Sequence, residues 1–142
     1  MPSPGLIGRI ERFRRATLQL SKVKEMSKEE FLSNPLVIDA TERNFHVAIE
    51  ALLDTGSFII SKKGWLTPSR YQEVSKELAN HGVLTAEEGN RLSSMAGLRD
   101  ILVHIYAEVD HEMLYSLLQR VEEMDEIMRK LLKYIEQEGM DP

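Results

Sequence analysis

The sequence predicts an all-α fold, an antiparallel bundle of four to five main helices. Apolar residues recur at three- and four-residue steps along most of the chain, no stretch shows the two-residue alternation of a strand, and the connections are short. A chain of 142 residues can bury a proper core as one domain, and no repeat or linker divides it. We therefore expect a single helical domain over residues 1–142.

The first half of the chain contains two long predicted helices. The first follows the Pro4-Gly5 breaker, runs from Leu6 to about Met26, and has Leu18 in its apolar stripe. The second begins at Pro35, in the first turn, where a missing N–H costs nothing, and ends near Lys62. Ser27-Lys28-Glu29-Glu30 has the form of a capping box and starts a short helical turn between them.

The second half contains three more predicted helices, which begin at the caps Thr67, Thr85 and Asp110. The helix after Thr85 carries a firm apolar stripe, and we expect Ile101, Leu102 and Ile105 to anchor its C-terminal end in the core. The helix after Asp110 is predicted to continue as one element to about Leu132. The stripe of the middle helix consists of Leu92, Met95, Leu98, Ile101, Leu102 and Ile105.

Composition excludes several classes of function. The chain has no cysteine, which excludes disulfides, thiolate metal sites and cysteine nucleophiles and fits a cytoplasmic protein. Its longest apolar runs are far too short to cross a bilayer, so we expect no membrane association. The net charge of −5 does not indicate nucleic-acid binding, but it permits a local basic patch. Four arginines on the first helix form either a solvated face or a phosphate-contacting surface: Arg9, Arg12, Arg14 and Arg15.

The most informative segment is Arg99-Asp100-Ile101-Leu102-Val103-His104-Ile105-Tyr106. Asp100 and His104 are four residues apart, so the carboxylate can orient the imidazole. Arg99 and His104 are five apart and diverge by about 140° on a regular helix. On one regular helix the two side chains therefore point in different directions. They can meet if the helix ends near His104, or if a second copy brings its own motif across a twofold interface.

Arginine and histidine together suffice for RNA cleavage without a metal. Histidine exchanges a proton near neutral pH and can activate a ribose 2′-hydroxyl, while arginine stabilises the charge that develops on the phosphate. The spacing alone also suits a salt bridge and a polar helix cap, which is the more common arrangement.

The pattern Arg99-x4-His104-x-Tyr106 resembles the signature of HEPN-domain ribonucleases, and in particular the HepT group of toxins. The resemblance covers residues 43–118. It includes Ala48-Ile49-Glu50-Ala51-Leu52-Leu53-Asp54 on the long helix, Pro68-x-x-Tyr71, the motif segment from Leu98, and Val109-Asp110.

This resemblance implies a HEPN-like bundle that dimerises, with Arg99 and His104 of both subunits in one cleft. It implies an endoribonuclease toxin that needs neither metal nor cofactor, cleaves RNA, and has a minimal nucleotidyltransferase antitoxin as its partner. It also implies that the antitoxin silences the toxin by transferring AMP to Tyr106. The residue after the arginine is often asparagine in this group. Here Asp100 could hold His104 more firmly, and we interpret it as a supporting residue. Its carboxylate also adds negative charge near an anionic substrate.

Other interpretations remain open. A non-catalytic HEPN-like module could bind a nucleotide, RNA or a nucleotidyltransferase partner without cutting. Glu50 and Asp54, four apart on the long helix, are either solvent-exposed or line a polar pocket. The single Glu108-x-x-His111 is half of a di-iron motif, and we expect no metal site there. We interpret His46 as a surface or core histidine and His81 as a helix-end residue. Trp65 and Tyr71 could stack on a base, but isolated aromatics at a helix junction are usually packing residues.

Overall fold

The computed structural model describes residues 4–65, 69–103 and 110–141, and within these ranges the chain is helical without strands. Five helices have ten or more residues and two are shorter, which confirms the predicted all-α bundle. They are α1 (Pro4–Lys24), α2 (Lys28–Leu32), α3 (Pro35–Lys63), α4 (Tyr71–Asn80), α5 (Ala86–Val103), α6 (His111–Leu117) and α7 (Val121–Gln137), with a 3-10 turn at Leu118–Arg120.

The long helix α3 is the centre of the bundle, because every other helix contacts it. Its core-facing residues, among them Ile49, Leu52 and Ile59, are fully buried. Helix α4 approaches α3 closely at Gly56, where an added Cβ would lie 2.8 Å from side-chain carbons of both Val74 and Leu78. None of the described helices is both long and apolar enough to span a membrane.

Helix ends follow the capping chemistry of the sequence. The boxes at Ser27 and Thr85 are formed on both sides, with hydroxyl and glutamate each satisfying a backbone N–H. Asp110 accepts from the N–H groups of Glu112 and Met113 at the start of α6. Gly64 ends α3 with φ of 68°, a left-handed conformation that glycine adopts without a steric penalty. The predicted cap at Thr67-Pro68 lies outside the described residues, but the prediction that the helix begins there is wrong, because Ser69 and Arg70 are not helical and α4 begins at Tyr71 with Arg70 as its N-cap.

Three further details of the sequence prediction were wrong. Leu18 is 58% exposed, since it lies about 200° around the helix from buried Leu20. Ile101 does not anchor α5 in the core but is 44% exposed, because nine residues place it about 180° from buried Leu92. The predicted last helix is divided into α6 and α7 by the 3-10 turn at Leu118–Arg120. The predicted core residue Ile105 lies outside the described residues.

Candidate active site

Arg99 lies near the end of α5 and is held by a carboxylate from α3. Its Nε and Nη2 both donate to Oε1 of Glu50, at 3.0 and 2.7 Å. Its Nη1 donates to Oδ1 of Asp100 at 3.2 Å. The Arg99 side chain is only 22% exposed, so the guanidinium plane is oriented by two carboxylates at a half-buried position. Such charge-assisted contacts are stronger than those between exposed side chains.

The helical spacing of α3 places a histidine beside the same carboxylate. His46 and Glu50 are four apart on one face, with Nε2 of His46 3.1 Å from Oε1 of Glu50. The buried Nε2 has no well-formed hydrogen bond, so this contact is electrostatic. On the other side of the ring, Nδ1 lies 3.3 Å from Nη1 of Arg43. Because guanidinium only donates, Nδ1 is the acceptor, and a neutral ring carries its proton on Nε2, facing Glu50.

The electrostatics of Glu50 keep it ionised. Burial by itself would raise its pKa, but the hydrogen bonds of Arg99 and the electrostatic contacts with Arg99 and His46 outweigh burial, so the pKa of Glu50 lies below its ordinary value. Glu50 is therefore an anion at neutral pH. It can orient Arg99, but it is poorly suited to supply a proton in the free protein.

Two connected polar cavities lie between α1 and α3. The larger, of about 420 Å³, is lined by Arg12, Arg15 and Arg43 together with the amides of Gln19 and Asn44. The smaller, of about 90 Å³, shares Arg12 and Arg43 with it and adds Arg9, Glu50 and Asp54. Glu50 thus contributes to this cavity and also contacts Arg99. Of the two interpretations of Glu50 and Asp54, the polar pocket is confirmed.

An apolar groove is lined by residues of α3, α5, α6 and α7. It has a volume of about 340 Å³ and includes Ile101 of α5 and Met113 of α6, both among the exposed large apolar residues. The groove accounts for the position of Ile101, whose side chain faces this space rather than the core. Its other apolar lining residues are Phe45, Ile49, Met95, Leu98, Leu117 and Met124.

Two of the predicted site residues, His104 and Tyr106, lie outside the described residues, one and three positions beyond the end of α5. Of the remaining two, Arg99 and Asp100 contact each other. The expected orientation of His104 by Asp100 therefore stays a prediction. Glu108 of the Glu-x-x-His pattern also lies outside, and no cluster of three or more metal-ligating side chains occurs in the part of the chain that the structure describes.

The aromatic residues at the other end of α3 are packing residues, as predicted for Trp65. Its ring stacks on that of His81 with centroids 3.7 Å apart, and Tyr134 packs at an angle beside it. At the end of α4, Nε2 of His81 also lies 2.9 Å from Oε1 of Glu77, one helical turn earlier.

Sequence reasoning missed the role of His46, which it assigned to the surface or core, and left Glu50 undecided. A signal was present, because the two polar residues lie four apart within residues 45–53, which are otherwise apolar. What the spacing could not indicate is the partner, because Arg99 is 49 residues further along the chain.

Solved structures define the class of fold. The tri-AMPylated HEPN toxin of Shewanella oneidensis, solved in complex with MNT antitoxin, matches with a TM-score of 0.82 at 20% identity, over 92% of this chain and 98% of that one. YutE of Bacillus subtilis, described as a cytosolic protein of unknown function, matches with a TM-score of 0.77 at 23% identity, over 94% and 90% of the two chains. The fold is that of the HEPN toxins.

Sequence comparison defines the family. The ribonuclease HepT-like family matches residues 6–131. The tRNA nuclease HepT of Aphanizomenon flos-aquae is 30% identical over 103 residues, which are 72% of this chain and 69% of that protein. The chain therefore belongs to the HepT-like family.

Proposed function

We propose that this protein is an endoribonuclease toxin that cleaves RNA without a metal, with Arg99 and His104 of two subunits in one cleft. The observation that carries the proposal is the position of Arg99. It is half-buried, held by Glu50 and Asp100, and five residues before the only histidine of the motif. Membership of the HepT-like family and the nuclease name of the Aphanizomenon relative support the same activity.

The reaction follows from the chemistry of the two side chains. A neutral His104 takes the proton of a ribose 2′-hydroxyl, and the oxygen attacks the adjacent phosphorus. The bond from phosphorus to the 5′-oxygen breaks, and that oxygen takes a proton from the second imidazole of the cleft. The products are a 2′,3′-cyclic phosphate and a 5′-hydroxyl. Arg99 stabilises the added charge on the phosphoryl oxygens, and Glu50 holds the guanidinium in place.

The apolar groove supports the two-subunit arrangement. Ile101 is two residues beyond Arg99 and exposes 44% of its surface beside Met113. A second copy that covers this groove would bury apolar area next to the motif. The divergence of Arg99 and His104 on a regular helix also favours a site that a second copy completes.

Regulation by a minimal nucleotidyltransferase antitoxin is part of the proposal. The phenol oxygen of Tyr106 attacks the α-phosphorus of ATP, and pyrophosphate leaves. The added AMP brings bulk and negative charge to the place where an RNA phosphate binds, so it blocks and repels the substrate. The AMPylated state of the Shewanella toxin in complex with MNT antitoxin supports this step. Mass spectrometry after incubation with the cognate partner and ATP should show AMP on Tyr106, and an adduct only elsewhere would contradict it.

One observation favours the non-catalytic alternative. Asp100 places a second carboxylate against Arg99, 3.2 Å away, where asparagine is common in this group, and this lowers the positive charge offered to a phosphate. If this effect dominates, the protein binds a nucleotide, RNA or the partner without cutting. The variant Asp100→Asn would then gain cleavage that the natural chain lacks.

The deciding experiment combines cell growth with cleavage by the purified protein. Expression without the partner should slow growth, and Arg99→Ala and His104→Ala should each relieve this and abolish cleavage. Arg91→Ala is the matched control, because Arg91 lies on the same helix and pairs with Glu87. Equal toxicity of the natural chain and both motif variants would refute the catalytic role.

A further inference from the structure

The cavities between α1 and α3 form a continuous basic groove, defined by Arg9, Arg12, Arg15 and Arg43. The two cavities are joined through shared residues, Arg12, Arg43 and Val47. Arg9, Arg12 and Arg15 recur every three residues, so they follow one side of α1 over about 9 Å of its axis. In a chain with a net charge of −5, this clustering of one sign is a local feature.

The arginines of this groove differ in their partners. Arg9 pairs with Asp54 at 3.4 Å, and Arg43 contacts His46. Within the ranges that the structure describes, neither Arg12 nor Arg15 has a carboxylate partner, and both are exposed. The larger cavity has no carboxylate in its lining. Among the described residues, the positive charge of the groove is therefore greatest in the larger cavity, since the smaller one also contains Glu50 and Asp54.

Polar neutral groups complete the larger cavity. Nδ2 of Asn44 donates to Oε1 of Gln19 at 2.9 Å and links α3 to α1 across the groove. Arginine forks and amides together suit a phosphodiester backbone, since the forks bind phosphate oxygens and the amides bind sugar hydroxyls. An acidic protein surface would also satisfy the arginines, but it would not require the groove to lead towards Arg99.

The groove does lead there. Glu50 lines the smaller cavity and accepts two hydrogen bonds from Arg99, so the basic groove and the proposed cleavage site meet at one side chain. A strand whose scissile phosphate lies at Arg99 can continue between α1 and α3.

We propose that the basic groove is a phosphate-binding subsite for the RNA strand flanking the cleaved bond, with Arg12 and Arg15 as direct contacts. The proposal rests on the proposed ribonuclease function for its choice of ligand. These arginines bind the substrate and take no part in the cleavage reaction. They should therefore affect affinity and its salt dependence for RNA of any sequence.

The test measures binding of a single-stranded RNA oligonucleotide to the full-length His104→Ala protein by fluorescence anisotropy at several salt concentrations. Adding Arg12→Ala or Arg15→Ala should weaken binding by about three- to tenfold at low salt. Each should reduce the slope of log K against log salt by about 0.7, the value for one phosphate contact on a single strand. Arg12→Lys and Arg15→Lys should retain most of that slope. Arg14→Ala is the control, because Arg14 is an exposed arginine of the same helix outside the cavity linings.

The outcomes separate this inference from the proposed function. Unchanged affinity and slope in Arg12→Ala and Arg15→Ala would overturn the subsite, whether or not the natural chain cleaves RNA. Loss of affinity for the purified cognate nucleotidyltransferase, with RNA affinity intact, would overturn it in favour of a protein-binding surface. Loss of RNA affinity as expected, in a chain that proves unable to cleave, would support the subsite and refute the nuclease.

Discussion

Glu50→Gln isolates the charge of the carboxylate that holds Arg99. The substitution keeps the shape of the side chain and one acceptor oxygen but removes the negative charge. Glu50 and Arg99 expose 34% and 22% of their side chains, so solvent screens the pair only in part. Exposed pairs contribute about 0.2–1 kcal/mol and hydrogen bonds to charged groups about 1.5–3 kcal/mol. We expect a loss of about 1 kcal/mol for Glu50→Gln and about 2 kcal/mol for Glu50→Ala, which also removes the acceptor.

The assay for stability is thermal unfolding at fixed protein concentration. For a chain of this length, 1 kcal/mol corresponds to about 3 °C in Tm. The pKa of Glu50 is lower in the folded state than in the unfolded state, so its ionisation stabilises the fold above the unfolded pKa. That contribution is lost as pH falls through the folded pKa. The difference between Glu50 and its glutamine variant should therefore be present at pH 7 and vanish in acid. A difference that persists unchanged below pH 3 would refute the charge-based account.

The assay for function separates kcat from KM. If Glu50 positions Arg99, Glu50→Gln should lower kcat about tenfold, or about 1.4 kcal/mol in the barrier. KM should not rise, since a negative charge near the RNA is removed. Asp54→Asn is the control: Asp54 is the next carboxylate on the same face of α3, but its described ion pair is with Arg9. A rise in KM with unchanged kcat would show that Glu50 does not position Arg99 for the reaction.

Three further results are expected. Gly56→Ala should lower the free energy of unfolding by about 1–2 kcal/mol in a denaturant titration, because the added Cβ would overlap Leu78. This overlap should outweigh the better helix propensity of alanine. An increase in stability would contradict the close packing of α4 on α3. Glu42→Gln should raise stability by up to about 0.5 kcal/mol at pH 7, and the gain should disappear in acid, because burial and Asp39 raise the pKa of Glu42 in the folded state. Ile101→Asp should shift the protein towards the monomer in sedimentation and reduce cleavage with it, whereas an unchanged dimer would exclude the apolar groove from the interface.

The amino-acid sequence by itself determined the helices and most of their ends, because these depend on contacts within a few residues. The start of α4 and the division between α6 and α7 were not predicted. The capping boxes at Ser27 and Thr85, Pro35 in the first turn of α3, and the cap of Asp110 are local and were predicted correctly. The burial of Ile101 was mispredicted. The apolar residues of α5 drift around the helix, and their spacing alone does not indicate which of them the neighbouring helices cover.

The motif was also visible in the sequence, through Arg99, His104 and Tyr106 and their resemblance to the HepT group. Only the tertiary structure decided that Glu50 holds Arg99 and that the arginines of α1 line a groove leading to the same carboxylate. Both facts depend on how α1 and α5 pack against α3, which brings together side chains that lie far apart along the chain. Spacing within one helix orders the residues on its own faces, but packing between helices determines which charges meet.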